Sequence, residues 1–276
     1  MKITNKLDQK NNKASSTADT DIKQSYFIGK KRPFATSEAH KRLRTNVFFS
    51  FPESGCCRVV GVTSAMAHEG KTTTSINLAY DIMQAGKKVL LIDADMRMSN
   101  IVKITNVQRV PGLSDLIVSP KENNRCIQRV EALGGLNIIS CGSIPPNPSE
   151  LLSSTRMEEM LAALKEKYDY IIIDLPPIAA VTDALIVSKM IDGMIVVVRQ
   201  DYADKYLLDD AVRQLKFHEA NIIGFVMNCT RTENKYYGKY GKYGRYGRYG
   251  RYGRYYKNGY YRSNSSYGSD TENISE

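Results

Sequence analysis

The chain has 276 residues, 42% of them hydrophobic and 25% charged, with 39 Lys+Arg against 29 Asp+Glu, a formal net charge of +10, 18 Tyr and no Trp. That composition excludes a wholly disordered chain, the length is ample for a buried core, and no run of about 18 apolar residues is present to span a bilayer. Residues 231–276 hold 10 basic and 4 acidic residues and 12 of the 18 Tyr, so +6 of the +10 sits in the last 46 positions. A uniformly basic nucleic-acid-binding domain is thereby excluded, and no specific nucleic-acid partner is expected.

Residues 1–24 are mostly Lys, Asn, Ser, Thr and Asp, which predicts disorder, and the polar start lacks the apolar core of a signal peptide, which predicts a cytoplasmic location. From Ser37 to Phe49 a short helical pattern sets charge against Leu43, Val47 and Phe48. Short Val- and Ile-rich runs then follow at Arg58–Thr63, Val89–Ile92, Leu136–Ile139, Tyr170–Ile173, Met194–Val198 and Ile222–Met227, separated by segments of helical periodicity. The clearest helix is predicted to start at Thr155, with Glu158 at capping-box spacing and Met157, Met160, Leu161 and Leu164 along one face. Apolar strands alternating with helices predict an α/β fold, a mostly parallel sheet flanked by helices, within a domain over residues 25–230. Ligands of such sheets bind beyond the carboxyl ends of the strands. Past Thr230 the pattern stops. Tyr237, Tyr240, Tyr243, Tyr246, Tyr249, Tyr252 and Tyr255 recur every third residue among Gly and Lys or Arg, and residues 231–276 are predicted to form a flexible tail. Five Cys without C-x-x-C spacing and three His fit neither a disulfide framework nor a zinc site.

The chemistry concentrates at the strand ends. Ala65-Met66-Ala67-His68-Glu69-Gly70-Lys71-Thr72-Thr73 follows the first strand and opens a helix; it is a phosphate-binding loop with Ala in place of the usual first Gly. Gly70 permits close backbone approach, successive N–H groups and the helix N-terminus face an anion, Lys71 reaches the outer phosphates, and Thr72 can hold Mg²⁺. Val89–Ile92 ends in Asp93-Ala94-Asp95, and Tyr170–Ile173 ends in Asp174. A lone acid after a strand is usually a cap or turn, but two such sites beside a phosphate loop point to metal-assisted phosphate chemistry.

Together the phosphate loop, VLLIDADMR, PGLSDLI from Pro111, PPNPSELLSS from Pro145, YDYIIIDLPP and the terminal tyrosine cluster resemble the bacterial tyrosine kinases of capsule and exopolysaccharide synthesis, in the form of a separate cytoplasmic kinase subunit. The resemblance covers about Tyr26 to the C-terminus. Related chromosome- and septum-positioning ATPases carry an additional Lys early in the loop, which positions 64–69 lack. The resemblance implies a P-loop NTPase fold with ATP and Mg²⁺ as cofactors, and Glu69, Gly70, Lys71, Thr72 and Thr73 around the nucleotide. It implies acidic roles for Asp93, Asp95 and Asp174. Of these, Asp93 is taken as the base for the tyrosine proton, Asp174 as the organiser of Mg²⁺ through water and Asp95 as the alternate, with Thr72, Asp93 and Asp174 around the metal. Asn228 matches a position that contacts the base. Neither H-R-D nor D-F-G occurs, so the eukaryotic kinase fold is excluded.

In the family an E-x-x-R-x-x-R motif assembles a ring. Here Glu38, Lys41 and Arg44 occupy it, and Lys cannot make the bidentate contact of Arg. The implied phosphoacceptors are Tyr237, Tyr240, Tyr243, Tyr246, Tyr249, Tyr252, Tyr255, Tyr256, Tyr260 and Tyr261, modified between subunits. Implied partners are a transmembrane polysaccharide co-polymerase that activates the kinase and recruits it to the inner face of the membrane, a second copy of the chain, and a tyrosine phosphatase. On composition alone, interleaved Tyr and Arg would serve equally to bind a polyanion or an anionic membrane, which keeps a non-kinase P-loop ATPase switch as the alternative reading.

Overall fold

The structure is a computed structural model that describes residues 33–51, 55–119 and 123–230. The disorder expected of residues 1–24, the flexibility of the tail and its ten phosphoacceptor candidates lie outside the described residues. Helix α1 (Phe34–Phe49) begins directly after Pro33, whose carbonyl accepts the Ser37 N–H, so it starts a turn earlier than its apolar pattern suggested. It buries Val47 and half-buries Leu43 and Phe48, the three residues on its apolar side.

The chain then runs β1 (Arg58–Ser64), α2 (Lys71–Gln84), β2 (Val89–Asp93), α3 (Ile101–Thr105), α4 (Leu113–Val118), α5 (Asn123–Cys126), β3 (Ile127–Val130), β4 (Leu136–Ile139), α6 (Pro148–Leu152), α7 (Thr155–Lys165), β5 (Tyr170–Asp174), α8 (Asp183–Val187), β6 (Gly193–Arg199), α9 (Lys205–Phe217) and β7 (Ile222–Asn228). The strands form one sheet in the order β3-β4-β2-β5-β1-β6-β7, parallel except for the β3–β4 pair. The six apolar runs all form strands. The sequence did not single out β3, because Ile127-Gln128-Arg129-Val130 is a half-buried antiparallel edge with little apolar signal.

Burial on both faces explains why the inner strands read as unbroken apolar runs. Leu90, Ile92, Ile171 and Ile173 face one core with Met157, Leu161 and Leu164 of α7 and Leu215 of α9. Leu91 and Ile172 face the other with Ile76, Leu78 and Ile82 of α2. Each such side chain stabilises the fold by about 1.5–3 kcal/mol relative to exposure. One expectation is corrected. The cap of α7 is Ser154, whose hydroxyl accepts the Met157 N–H at 3.4 Å, so Thr155 is the first helical residue and Glu158 falls one position beyond a capping box. Among the described residues no helix is long and apolar enough to cross a membrane.

Candidate active site

Sheet register brings the site together. β2 and β5 are both five-residue strands ending in Asp, and their pairing of Val89 with Tyr170 sets Asp93 beside Asp174. β1 lies on the other side of β5, so its carboxyl end, where the phosphate loop begins, adjoins Asp174. Gly70 caps α2 with φ +94°, a left-handed conformation suited to glycine, and a Cβ there would lie 2.0 Å from Nδ2 of Asn228. Lys71 therefore starts α2 with its side chain aimed at the acids. Its Nζ donates to Asp95 Oδ2 at 2.9 Å and lies 3.8 Å from Asp174 Oδ2.

The acids are woven into their loops. Asp93 Oδ1 accepts the Asp95 N–H at 3.2 Å, and its Oδ2 accepts a short hydrogen bond from the Ser99 hydroxyl. Asp95 Oδ1 accepts the Met98 N–H at 2.9 Å. Asp174 Oδ1 accepts from Ser75 Oγ at 3.0 Å, and the Thr72 side chain acts to lower the pKa of the same carboxyl group. Ser75 and Ser99 escaped the sequence reading, although Ser75 stands one helical turn after Lys71 and Ser99 in the loop that Asp93 begins.

Burial and mutual repulsion shape the ionisation. Asp93 is fully buried, and burial first, then the charge of Asp174, pushes its carboxyl up to about 8 against the opposing Ser99 hydrogen bond and Lys71. Burial likewise raises Asp174, opposed by Lys71, Thr72 and Ser75. Burial by itself would lower the Lys71 ammonium, but Asp174 and Asp95 outweigh it and hold Lys71 above its ordinary value.

The loop is braced from three directions. Glu69 is fully buried and its carboxylate accepts the Met66 N–H at 2.8 Å and the Arg199 N–H at 3.4 Å. Its side chain is thus a brace, and only its backbone remains to face a nucleotide. Asn228 Nδ2 donates to the Glu69 carbonyl at 2.9 Å, which ties the end of β7 to the loop. Arg199 reaches the His68 carbonyl at 3.3 Å and stacks on Tyr202; this brace too was missed, because Arg199 lies 131 positions from His68. Thr73 is half-buried in the first turn of α2.

The set of groups fits a magnesium nucleotide. Asp174 Oδ2 is buried and accepts no hydrogen bond, while Thr72, whose side chain acts on the same carboxyl, stands at the start of α2. Among the described residues no three His, Cys, Asp or Glu are grouped so that they could hold a metal by themselves. Each Asp93 oxygen accepts one hydrogen bond within the loop, whereas Asp174 Oδ2 accepts none, which leaves Thr72 and Asp174 the least engaged of the three residues expected around the ion.

The three helix positions Glu38, Lys41 and Arg44 lie on α1, away from these acids. Lys41 pairs with Glu38 at 2.8 Å on the exposed side. Arg44 instead turns inward, donating to the Asp81 carbonyl of α2 at 3.3 Å, so the motif does not form one continuous outward face.

A family described as an AAA domain matches residues 58–217, the span from β1 to the end of α9. Tyrosine-protein kinase YwqD of Bacillus subtilis is 35% identical over 206 residues, covering 74% of this chain and 86% of that protein. Tyrosine-protein kinase CpsD of Streptococcus agalactiae is 34% identical over 209 residues, covering 75% and 89%. The solved kinase domain of the Escherichia coli tyrosine kinase ETK superposes with a TM-score of 0.66 at 33% identity, covering 71% of this chain and 78% of that one. With the phosphate loop, Lys71 and the paired strand-end acids in one P-loop sheet, this chain belongs to the bacterial tyrosine-protein kinase family.

Proposed function

We propose that this chain is an ATP- and Mg²⁺-dependent protein-tyrosine kinase that phosphorylates its own C-terminal tyrosines between subunits and regulates capsular or exopolysaccharide polymerisation and export. The observation that carries the reading is Lys71, poised at 2.9 Å from Asp95 and 3.8 Å from Asp174 at the mouth of the phosphate loop, in a chain of this family. Phosphoryl transfer is mostly positioning and charge stabilisation. The loop N–H groups and the start of α2 bind the phosphates, and Lys71 leaves Asp95 to neutralise the transferred group. Thr72 and Asp174 would hold Mg²⁺, which would supply further neutralisation of phosphate charge. Asp93 accepts the tyrosine proton: a carboxyl near 8 is matched to work at neutral pH. Asp95 is the alternate, since the departure of Lys71 frees its Oδ2.

Reach suits transfer between subunits. A flexible chain of about 22 residues, the number separating Thr230 from Tyr252, would span roughly 25 Å on average. Each phosphate adds about −1.5 to −2, so around four cancel the tail's positive charge and turn a cationic tail anionic. This reversal loosens a ring assembled through Glu38, Lys41 and Arg44, and a tyrosine phosphatase restores it. A transmembrane polysaccharide co-polymerase activates the kinase and holds it at the membrane.

The test is incubation of the purified protein with γ-labelled ATP and Mg²⁺, with and without the cytoplasmic end of the activator, followed by mapping of label. Label on the tail tyrosines that vanishes in Lys71→Met is the expected result. ATP hydrolysis without protein label would overturn the kinase reading in favour of a non-kinase switch.

A further inference from the structure

Two runs singled out in the sequence, the Met96-Arg97 end of VLLIDADMR and the Ser149 of PPNPSELLSS, find no role in nucleotide binding, yet they meet at one buried acid. Asp183, the first residue of α8, is fully buried. Its Oδ1 accepts the Ser149 hydroxyl at 2.5 Å and its Oδ2 faces Arg97 Nε at 3.4 Å, while Arg97 Nη2 also lies 3.4 Å from Ser149 Oγ. The three residues come from the loops that follow β2, β4 and β5. Two of those strands carry the acids of the site.

Arg97 stands two residues after Asp95 and one before Met98, whose N–H bonds Asp95 Oδ1. Asp95 is also fixed through its other oxygen by Lys71. A phosphate that drew Lys71 away would withdraw that second anchor. What then remains to hold Asp95 is the turn 95–98, tied to the rest of the protein by Met96, which is buried in the core, by the Asp95 N–H on Asp93, by the Arg97 guanidinium on Asp183 and by a 3.5 Å contact of Arg109 with the Met96 carbonyl; the Arg97 contact is the one that joins it to the connections after β4 and β5. A carboxylate buried as completely as Asp183 keeps its cation, because the alternative is an unpaired charge out of water.

We propose that Arg97, Ser149 and Asp183 are positioning residues: they clasp the loops after β2, β4 and β5 so that Asp93 and Asp95 keep their aim once Lys71 has moved to the phosphates. The proposal rests on the kinase reading for its effect on rate, and on loop geometry alone for its effect on Met98. A displacement of about 1 Å in a reacting group costs on the order of 10²-fold in rate.

The experiment compares the full-length wild type with Arg97→Ala, Arg97→Lys, Asp183→Asn, Ser149→Ala and the double variant Arg97→Ala/Asp183→Asn. Three quantities are read: amide hydrogen exchange at Met98, the single-turnover rate of tail labelling at saturating ATP with activator, and the affinity for Mg²⁺-ADP. Arg97→Ala and Asp183→Asn are each expected to speed Met98 exchange by about tenfold or more and to slow labelling by about 10–100-fold, with Mg²⁺-ADP affinity within about threefold of wild type. The double variant should be no slower than the slower single variant, because both break the same clasp. Arg97→Lys, which keeps the charge without the fork, should fall between wild type and Arg97→Ala. Unchanged Met98 exchange, multiplying losses in the double variant, or a loss confined to ADP affinity would overturn the proposal. Exchange at Leu91 in β2 reports whether a variant is folded, and Ser149→Ala, which removes one hydroxyl, carries the same test if Asp183→Asn does not fold. If the wild type itself fails to label its tail, the kinase reading falls and Met98 exchange alone decides the clasp.

Discussion

Replacing Lys71 by Met removes the one cation that lies within 4 Å of Asp95 and Asp174 among the described residues. At 2.9 and 3.8 Å, with an effective dielectric constant of about 20, the two attractions are worth about 6 and 4 kcal/mol. Desolvation of the ammonium offsets several kcal/mol of this, leaving a cost of about 3–5 kcal/mol when the cation is deleted and the carboxylates stay. The cost depends on pH with a definite sign. Asp93 and Asp174 have folded values raised above their ordinary 3.8, Asp93 to about 8, so the folded protein holds more protons than the unfolded chain. Stability therefore falls as pH rises between about 4 and 8 through Asp93, by about 1.4 kcal/mol per pH unit, and Asp174 acts in the same direction. Without Lys71 the cluster retains a further proton, and the fall steepens. Urea denaturation of the wild type and Lys71→Met in magnesium-free buffer at pH 5.5, 7 and 8.5 reads this directly. The expected difference is about 3–5 kcal/mol at pH 8.5, shrinking to about 1 kcal/mol at pH 5.5. A difference that stays constant across this range, or one that grows toward acid, would refute the electrostatic reasoning. The result also bears on any use of Lys71→Met as an inactive control, which is best compared with the wild type at the lower pH.

Ser99→Ala deletes the hydrogen bond that opposes the rise of Asp93; it should raise that carboxyl further and destabilise the fold by about 1–3 kcal/mol at pH 8.5, with less effect at pH 5.5. Gly70→Ala should abolish measurable Mg²⁺-ADP binding in a fluorescent-nucleotide titration, since its Cβ meets Asn228 and its φ of +94° is strained for alanine; Gly70→Ala/Asn228→Ala should recover only part of the affinity, because the strain persists. In the pH–rate profile of tail labelling, the limb set by a group near 8 should disappear in Asp93→Asn and survive, at a lower rate, in Asp95→Asn; the reverse pattern would transfer the base to Asp95. Glu38→Ala removes an exposed pair worth no more than about 1 kcal/mol, so it should leave the melting temperature nearly unchanged while weakening self-association measured by sedimentation, and Lys41→Arg should strengthen it.

Contiguous chemistry was legible in the sequence. The loop from Ala65 to Thr73 carries its own strand, turn and helix start, and the apolar runs of the inner strands announce burial on both sides, so the fold class and Lys71, Thr72, Asp93, Asp95 and Asp174 could be read residue by residue. These features depend on local propensity and on a strand's period, both of which a linear chain displays. The tertiary structure decided what each side chain touches. Asp93 meets Asp174 across 81 positions because two strands share a register, and burial, with the charge of Asp174 second, raises the pKa of the Asp93 carboxyl. Glu69 and Asn228, expected around the nucleotide, also brace the loop, and Arg44 of the helix motif also bonds a carbonyl of α2. Ser75, Ser99, Arg199 and Asp183 carry no motif, since their partners lie on other elements. Residue type and spacing fix which groups a chain can offer, whereas hydrogen bonding and ionisation depend on distances of a few ångströms that only the packed sheet sets.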